Sequence, residues 1–229
     1  MSVSIDDLKR AAAYRAVDFT RSGMVIGLGS GSTASYATKR IGEKLRTGEL
    51  GDIVGVPTSE ETARLARGEG IPLTTLEDYP QIDVTIDGAD EVDPDLNLIK
   101  GGGGFLLREK IVAYATTLEI IVVDQSKMVE HLGESVPLPV EVAQFGWKNT
   151  ESALARTGAL TKLRMHDGQA KITDGGNYIV DCRYGRIDDP IELANRLKSI
   201  PGVVEHGLFL GMANLVVMAS SDTINILER

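Results

Sequence analysis

The chain has 229 residues, 42% hydrophobic and 25% charged, enough for one large or two modest domains of an ordinary globular protein. A formal net charge of −9 argues against nucleic acid as a partner, because phosphate binding needs a basic surface. No stretch of about 18 apolar residues offers a membrane span, and the one cysteine, Cys182, leaves no internal disulfide and no cysteine-based zinc cluster.

The opening MSVSIDDLKRAAAYR has no apolar core of the signal-peptide kind, so a cytoplasmic location is expected. Ser4 and Asp7 resemble a capping box, and Ile5, Leu8, Ala12, Ala16 and Phe19 keep helical spacing, which predicts a helix over 4–19. MVIGLG (24–29) is a short apolar run ending in glycine and predicts a buried strand. A helix is expected over 33–45, then a strand at DIVGVPT (52–58). Thr58-Ser59-Glu60-Glu61 reads as a capping box for a helix over 60–68. IPLTTL (71–76) and DVTIDGAD (83–90) are strand candidates, 105–117 a helix, and EIIVVD (119–124) another buried strand. Short apolar strands alternating with helices indicate a parallel α/β sheet.

The pattern changes after Lys127. PLPVEV (137–142) reads as a strand and 148–157 as a helix. LTKLRM and YIVDCRY, with turn signals between them, read as a hairpin; Asp189-Pro190 opens a helix to about Ile200, and VVEHGLF (203–209) is a strand. That β-α-β-β-α-β order is the ferredoxin-like split motif. NLVVMAS (214–220) is apolar again and could return to the first sheet. The expected fold is therefore α/β. A doubly wound, mostly parallel, Rossmann-like catalytic domain spans 1–133 and 210–229, and a ferredoxin-like α+β domain is inserted at 134–209.

Three motifs carry chemistry. GLGSGSTA (27–34) follows a strand and opens a helix. As a dinucleotide fingerprint it is weak, because the next strand ends in Pro57-Thr58-Ser59 with no carboxylate to hold a ribose. No lysine follows the last glycine, so it is not a Walker loop. What remains is a small anion-binding loop, with backbone N–H groups, the hydroxyls of Ser30, Ser32 and Thr33, and a helix N-terminus. The bland alternative is a tight turn without ligand. In DGADEVDPDLNLIKGGGGFLLREK (87–110), five acidic residues fall within nine positions: Asp87, Asp90, Glu91, Asp93 and Asp95. They follow a strand of a parallel sheet, where ligands bind. A hard-cation site is one reading, a solvated acidic loop another. The spacing fits no EF-hand and no histidine is near. Asp87 and Asp90 are read as functional, Asp93 and Asp95 as solvated. KGGGG (100–104) offers a lysine and unencumbered N–H groups, the composition of an oxyanion site, against the alternative of a flexible hinge. Glu109, early in the next helix, is favoured there by the helix dipole even without a function. Lys127 in DQSK and, more weakly, Lys9 could meet a phosphate or be ordinary exposed lysines. His131, His166 and His206 join no constellation, and no G-x-S-x-G elbow points to a serine hydrolase.

Taken in order, GLGSGSTA, DGADEVD, KGGGG, REK and DQSK closely resemble the type A ribose-5-phosphate isomerases. The likeness continues through PLPVEV and IPGVVEHGLF, over nearly the whole chain. The resemblance implies reversible conversion of ribose 5-phosphate to ribulose 5-phosphate, in the non-oxidative pentose phosphate pathway, without cofactor or metal. It also implies a homodimer or homotetramer. By the family pattern Glu109 is the base, and Asp87, Asp90 and Lys100 line the reacting end of the sugar. Ser30, Gly31, Ser32, Thr33, Gly88, Ala89, Gly101, Gly102, Gly103 and Lys127 contact substrate, with Lys9 approaching the phosphate. The family loop often has Thr where this chain has Ser30; the hydroxyl is retained. The rival from another class is a sugar-phosphate-sensing regulator of related fold. Such regulators normally carry a DNA-binding module, for which the stretch ahead of Met24 offers no room. A sensor would also need neither Glu109 nor Lys100.

Overall fold

A computed structural model describes residues 4–229. In chain order the elements are α1 (Ile5–Val17), β1 (Val25–Leu28), α2 (Ser32–Thr47), β2 (Val54–Pro57), α3 (Glu60–Gly68), β3 (Ile82–Gly88), β4 (Glu91–Val92), β5 (Leu98–Ile99), α4 (Leu106–Tyr114) and β6 (Thr116–Asp124). After a single 3-10 turn at Gln125–Lys127 come β7 (Leu138–Val142), α5 (Trp147–Ala155), β8 (Leu160–Leu163), β9 (Met165–His166), β10 (Gln169–Ala170), β11 (Tyr178–Arg183), α6 (Pro190–Lys198), β12 (Val203–His206), β13 (Leu208–Phe209), β14 (Leu215–Ala219) and β15 (Ile224–Glu228). No helix among the described residues is long and apolar enough to cross a membrane.

The chain divides into two compact units. The first comprises the stretch up to Ala89, Arg108–Lys127 and Gly211–Arg229; the second comprises Asp90–Leu107 and Met128–Leu210.

The first unit is built on a six-stranded sheet in the order β15-β14-β6-β3-β1-β2. All its pairings are parallel except that of β15 on β14. Successive strand residues point to opposite faces. Ile26 and Leu28 of β1 accordingly join Ala12, Ala13, Ala16, Ala37, Ile41, Ile86 and Val122 on one face. Val25, Val56, Ile82 and Val112 of α4 form a second, smaller cluster. Alanines along α1 let the helix sit close to the sheet, and each buried Ile or Val contributes about 1.5–3 kcal/mol. Ser4 caps α1 as its sequence predicts, accepting the Asp7 N–H at 3.1 Å. For α3 the cap falls one residue later than expected. Ser59 accepts the Thr62 N–H at 3.0 Å, while the Thr58 hydroxyl turns back to the Leu28 carbonyl at 3.1 Å.

Three expectations shift. IPLTTL is not a strand; Leu73 makes only an isolated bridge to Gly55. The helix expected over 105–117 stops at Tyr114, because the β-branched Thr116 and Thr117 already begin β6. β15, which the sequence reading omits, closes the sheet edge beside β14.

The second unit carries an antiparallel four-stranded sheet in the order β12-β7-β11-β8. Counting β7, β8, β11 and β12 as first to fourth, the spatial order is fourth, first, third, second. With α5 and α6 as crossovers this is the ferredoxin-like arrangement. Its core is Leu138, Val140, Val142, Leu154, Val180, Cys182, Leu193 and Leu197. Asp189 caps α6 by accepting the Glu192 N–H at 2.8 Å, with Pro190 at the first helical position. A small three-stranded sheet, β13-β5-β4, carries Glu91 of the acidic run and the residues just after the run.

Candidate active site

In the first unit, β6, β3 and β1 lie side by side and parallel, so their carboxyl ends share one edge. β3 ends in Asp87 and Gly88, with Ala89 following. β1 leads through Gly29 and Ser30 to Gly31 at the N-terminus of α2, and β6 leads to Lys127. Asp87 is 1% exposed. Its Oδ1 accepts the N–H of Ser30 at 3.1 Å and that of Gly88 at 2.7 Å. The loop passes so near the aspartate that a Cβ on Gly29 would lie 2.5 Å from the Asp87 Cα. Only glycine allows that approach.

The hydroxyl loop divides. Ser30 is buried, and its Oγ sits 2.7 Å from the Thr58 hydroxyl, 2.8 Å from Ser59 and 3.1 Å from Thr62. That side chain ties the loop to the start of α3. Gly31 and Ser32 are exposed and Thr33 half-buried, all at the N-terminus of the 16-residue α2, which has no side-chain cap. Unpaired N–H groups and the helix dipole favour an anion there. Lys9 from α1 donates to the Ser32 hydroxyl at 3.1 Å, bringing a cation to the same place. Lys127 is half-buried in the turn after β6.

Glu109 lies in the first turn of α4 and is 6% exposed. The preceding residue pairs with α3. Arg108 Nη1 donates to Glu60 Oε1 at 2.9 Å, and Glu60 opens α3 just beyond the end of β2. The guanidinium holds the Glu60 carboxyl below the ordinary range, chiefly through this hydrogen bond. This exposed pair links the first turn of α4 to the first turn of α3.

The other candidates belong to the second unit. Asp90, three residues beyond Asp87 in the chain, accepts the Gly102 N–H on Oδ2 at 2.7 Å. Lys100 is 2% exposed, donates its N–H to the Gly207 carbonyl at 2.9 Å, and holds its ammonium 5.5 Å from the centre of the Phe209 ring. A cation over an aromatic face gains electrostatically. In the glycine loop, Gly101 and Gly104 have φ of +101° and +91°, and the Gly104 N–H closes the turn on the Gly101 carbonyl at 3.0 Å. KGGGG is thus a formed turn, fastened at several points.

The acidic run separates by role. Glu91 is fully buried and accepts the N–H groups of Gly133, Ser135 and Val136 at 2.5, 2.6 and 2.9 Å. Asp93, expected in solvent, is 8% exposed. Its carboxylate closes its own turn by accepting the N–H groups of Asp95 and Asn97. Asp95 is exposed, as expected. Among the described residues no group of three or more His, Cys, Asp or Glu side chains is placed to hold a metal ion. Cys182 is fully buried, and burial pushes its thiol up to about 12, so it stays protonated and unreactive at neutral pH.

A family model for ribose 5-phosphate isomerase A (phosphoriboisomerase A) matches residues 54–223. This chain belongs to that family. Ribose-5-phosphate isomerase A of Gloeobacter violaceus is 54% identical over 226 residues, covering 98% of this chain and 97% of the relative. The probable ribose-5-phosphate isomerase 2 of Arabidopsis thaliana is 50% identical, covering 100% and 89%. Among solved structures, a D-ribose-5-phosphate isomerase in complex with phospho-erythronic acid superposes with a TM-score of 0.97 at 44% identity, covering 99% and 100%. The ribose 5-phosphate isomerase of Plasmodium falciparum gives 0.95 at 44% identity, covering 98% and 99%.

Seen as a member of the ribose 5-phosphate isomerase A family, the chain also shows residues that sequence reasoning missed. Phe209 lies beneath the Lys100 ammonium, and Thr58, Ser59 and Thr62 lie under the hydroxyl loop. The cap of α3 was visible as a Ser-Thr cluster, but nothing local in the sequence says that it also receives Ser30.

Proposed function

We propose that this protein interconverts D-ribose 5-phosphate and D-ribulose 5-phosphate through an enediolate, as an aldose–ketose isomerase of the pentose phosphate pathway. The carrying observation is Asp87. Its buried carboxylate stands at the end of a central parallel strand, held by the loop that opens α2. Family membership over nearly the full chain supports the same reaction.

In this reading the phosphate sits at the start of α2, near Gly31, Ser32 and Thr33, with Lys9 and Lys127 supplying positive charge. Ser30 contributes by shaping that loop. Gly88 and Ala89 form the floor beside Asp87. Asp87 and Asp90 move protons among the sugar oxygens during ring opening, work for positioned carboxylates. Glu109 then removes the C2 proton and redelivers it at C1. The charge left on the enediolate oxygens is met by Lys100 and by N–H groups of Gly101–Gly103. The remote phosphate contributes binding energy that positions the reacting carbons. Protons move between oxygen and carbon with no change in overall oxidation state, so the chemistry calls for no redox cofactor. The buried Glu109 supplies the base without a metal. A cytoplasmic homodimer or homotetramer fits this reading.

The deciding experiment incubates purified protein with ribose 5-phosphate and follows ketose formation by NMR, before and after exhaustive EDTA treatment. Ribulose 5-phosphate should accumulate to equilibrium at the same rate in both. No ketose would refute the activity, and loss on EDTA restored by Mg²⁺ or Mn²⁺ would make the carboxylate run a metal site.

A further inference from the structure

The glycine loop is gripped by cations from outside it. Arg164, between β8 and β9, donates from Nη1 to the carbonyl of Gly101 at 2.7 Å and to that of Gly102 at 3.0 Å. The other face of the guanidinium is taken by Asp181 on β11, with Nε on Oδ2 at 3.0 Å and Nη2 on Oδ1. The two side chains are only 14% and 20% exposed. Lys171 Nζ donates to the next carbonyl along, that of Gly103.

This grip sets where the N–H groups point. In a trans peptide the carbonyl of one residue and the N–H of the next face opposite ways. Arg164 holds the Gly101 carbonyl, so the Gly102 N–H is turned to Asp90, which accepts it at 2.7 Å. Arg164 also holds the Gly102 carbonyl, so the Gly103 N–H is aimed away from the guanidinium. Gly103 is exposed, and its N–H has no acceptor among the described residues. Two adjacent peptides are therefore oriented by one guanidinium nitrogen whose place is set by the Nε and Nη2 pair on Asp181, a division of donors that a lysine ammonium cannot reproduce.

We propose that Arg164, held by Asp181, is a positioning residue for isomerisation: it orients the Gly101–Gly103 peptides so that Asp90 and the Gly103 N–H meet the sugar oxygens where enediolate charge develops. This rests on the reading that KGGGG is the oxyanion-binding segment. Arg164 touches no reacting atom; it acts through the loop.

The test compares wild type with Arg164→Lys and Asp181→Asn, together with Lys100→Met as a control on the underlying reading. Phospho-erythronic acid serves as the probe, because its carboxylate presents two oxygens where the enediolate carries charge. Both positioning variants should lower kcat about ten- to a hundredfold, the range of a charge-assisted hydrogen bond. Phospho-erythronic acid should bind more weakly by a similar factor, while KM for ribose 5-phosphate moves less than about threefold, the signature of an interaction made in the transition state. A brace that matters only for stability would lower the melting temperature and leave both ratios at wild type, and that outcome overturns the proposal. So does a loss of kcat without weaker phospho-erythronic acid binding. If Arg164→Lys fails to fold, the near-isosteric Asp181→Asn decides alone. If Lys100→Met keeps wild-type kcat and analogue affinity, the oxyanion reading falls and takes this proposal with it. If Lys100→Met is impaired while both positioning variants are not, only the role of Arg164 falls.

Discussion

Asp90 accepts the backbone N–H of Gly102 on Oδ2 at 2.7 Å, so the carboxylate read as a proton shuttle also fastens the glycine loop. The two jobs separate by substitution. Asp90→Asn can still accept the N–H through its amide oxygen but cannot exchange a proton near neutral pH. Asp90→Ala loses both. Both variants should lose kcat by about 10²-fold or more, the lower end of acid–base catalysis. Only Asp90→Ala should also lose stability, by about 1.5–3 kcal/mol for a charged hydrogen bond. Thermal melts beside single-turnover rates check this; equal melting of the two variants would rule out the fastening role.

Gly29→Ala tests how closely the hydroxyl loop must approach β3. The new methyl would lie 2.4 Å from the Asp87 Oδ1 and 2.5 Å from its Cα, and backbone cannot yield cheaply. Overpacking of this kind costs about 1–3 kcal/mol. The Ser30 N–H bond to Asp87 should break with it, so kcat should fall along with the melting temperature. A variant with wild-type kcat would show that Asp87 keeps its place without that loop.

Glu91→Gln should behave in the opposite way. Glu91 belongs to the acidic run but spends its charge on three N–H groups at Gly133, Ser135 and Val136. Charge-assisted bonds contribute about 1.5–3 kcal/mol each, and an amide turns its NH₂ against at least one donor. Stability measured by denaturant should drop by several kcal/mol on this count, while kcat per folded enzyme stays near wild type. A large fall in kcat at unchanged stability would move Glu91 into the chemistry.

Glu91 also shows where sequence reading ran out. Its partners lie more than forty positions further on, and nothing near DGADEVD announces them. Asp93 differs from its expected place in solvent for another reason, since its partners Asp95 and Asn97 are local: an Asp before Pro reads equally as a solvated loop or as a self-closing turn. The strands of the first sheet were legible because runs such as IIVV in β6 are buried on both faces and read as continuous apolar segments. β4, β5 and β13 have two residues each, too few to show a period. β15 is missed because INILE is mostly exposed at the sheet edge and gives only a weak apolar signal. Lys100 and the glycine loop are marked by composition and Asp87 by its place at a strand end, whereas Glu109 is singled out only by the family resemblance. Arg164 and Asp181 are not marked at all, since a cross-strand ion pair leaves no mark on either stretch.

Glu109→Gln is the sharpest test of the base. The amide keeps the size of the buried side chain, and Arg108 still pairs with Glu60, so the start of α4 should hold its place. An amide cannot accept the C2 proton near neutral pH. General-base catalysis contributes about 10²–10⁴-fold, so kcat should fall at least that far, while phosphate binding at the start of α2 leaves substrate affinity close to wild type. Wild-type enzyme in deuterium oxide should also wash the C2 hydrogen out of ribose 5-phosphate, because the protonated carboxyl can trade its proton with solvent before redelivery. The variant should show neither turnover nor washout above background. Circular dichroism and a melting curve establish that it folds. A folded Glu109→Gln enzyme keeping more than about a tenth of wild-type kcat, far short of the general-base range, would remove Glu109 from the role. The washout experiment repeated on Asp87→Asn and Asp90→Asn would then identify which of the two carboxylates takes the carbon proton.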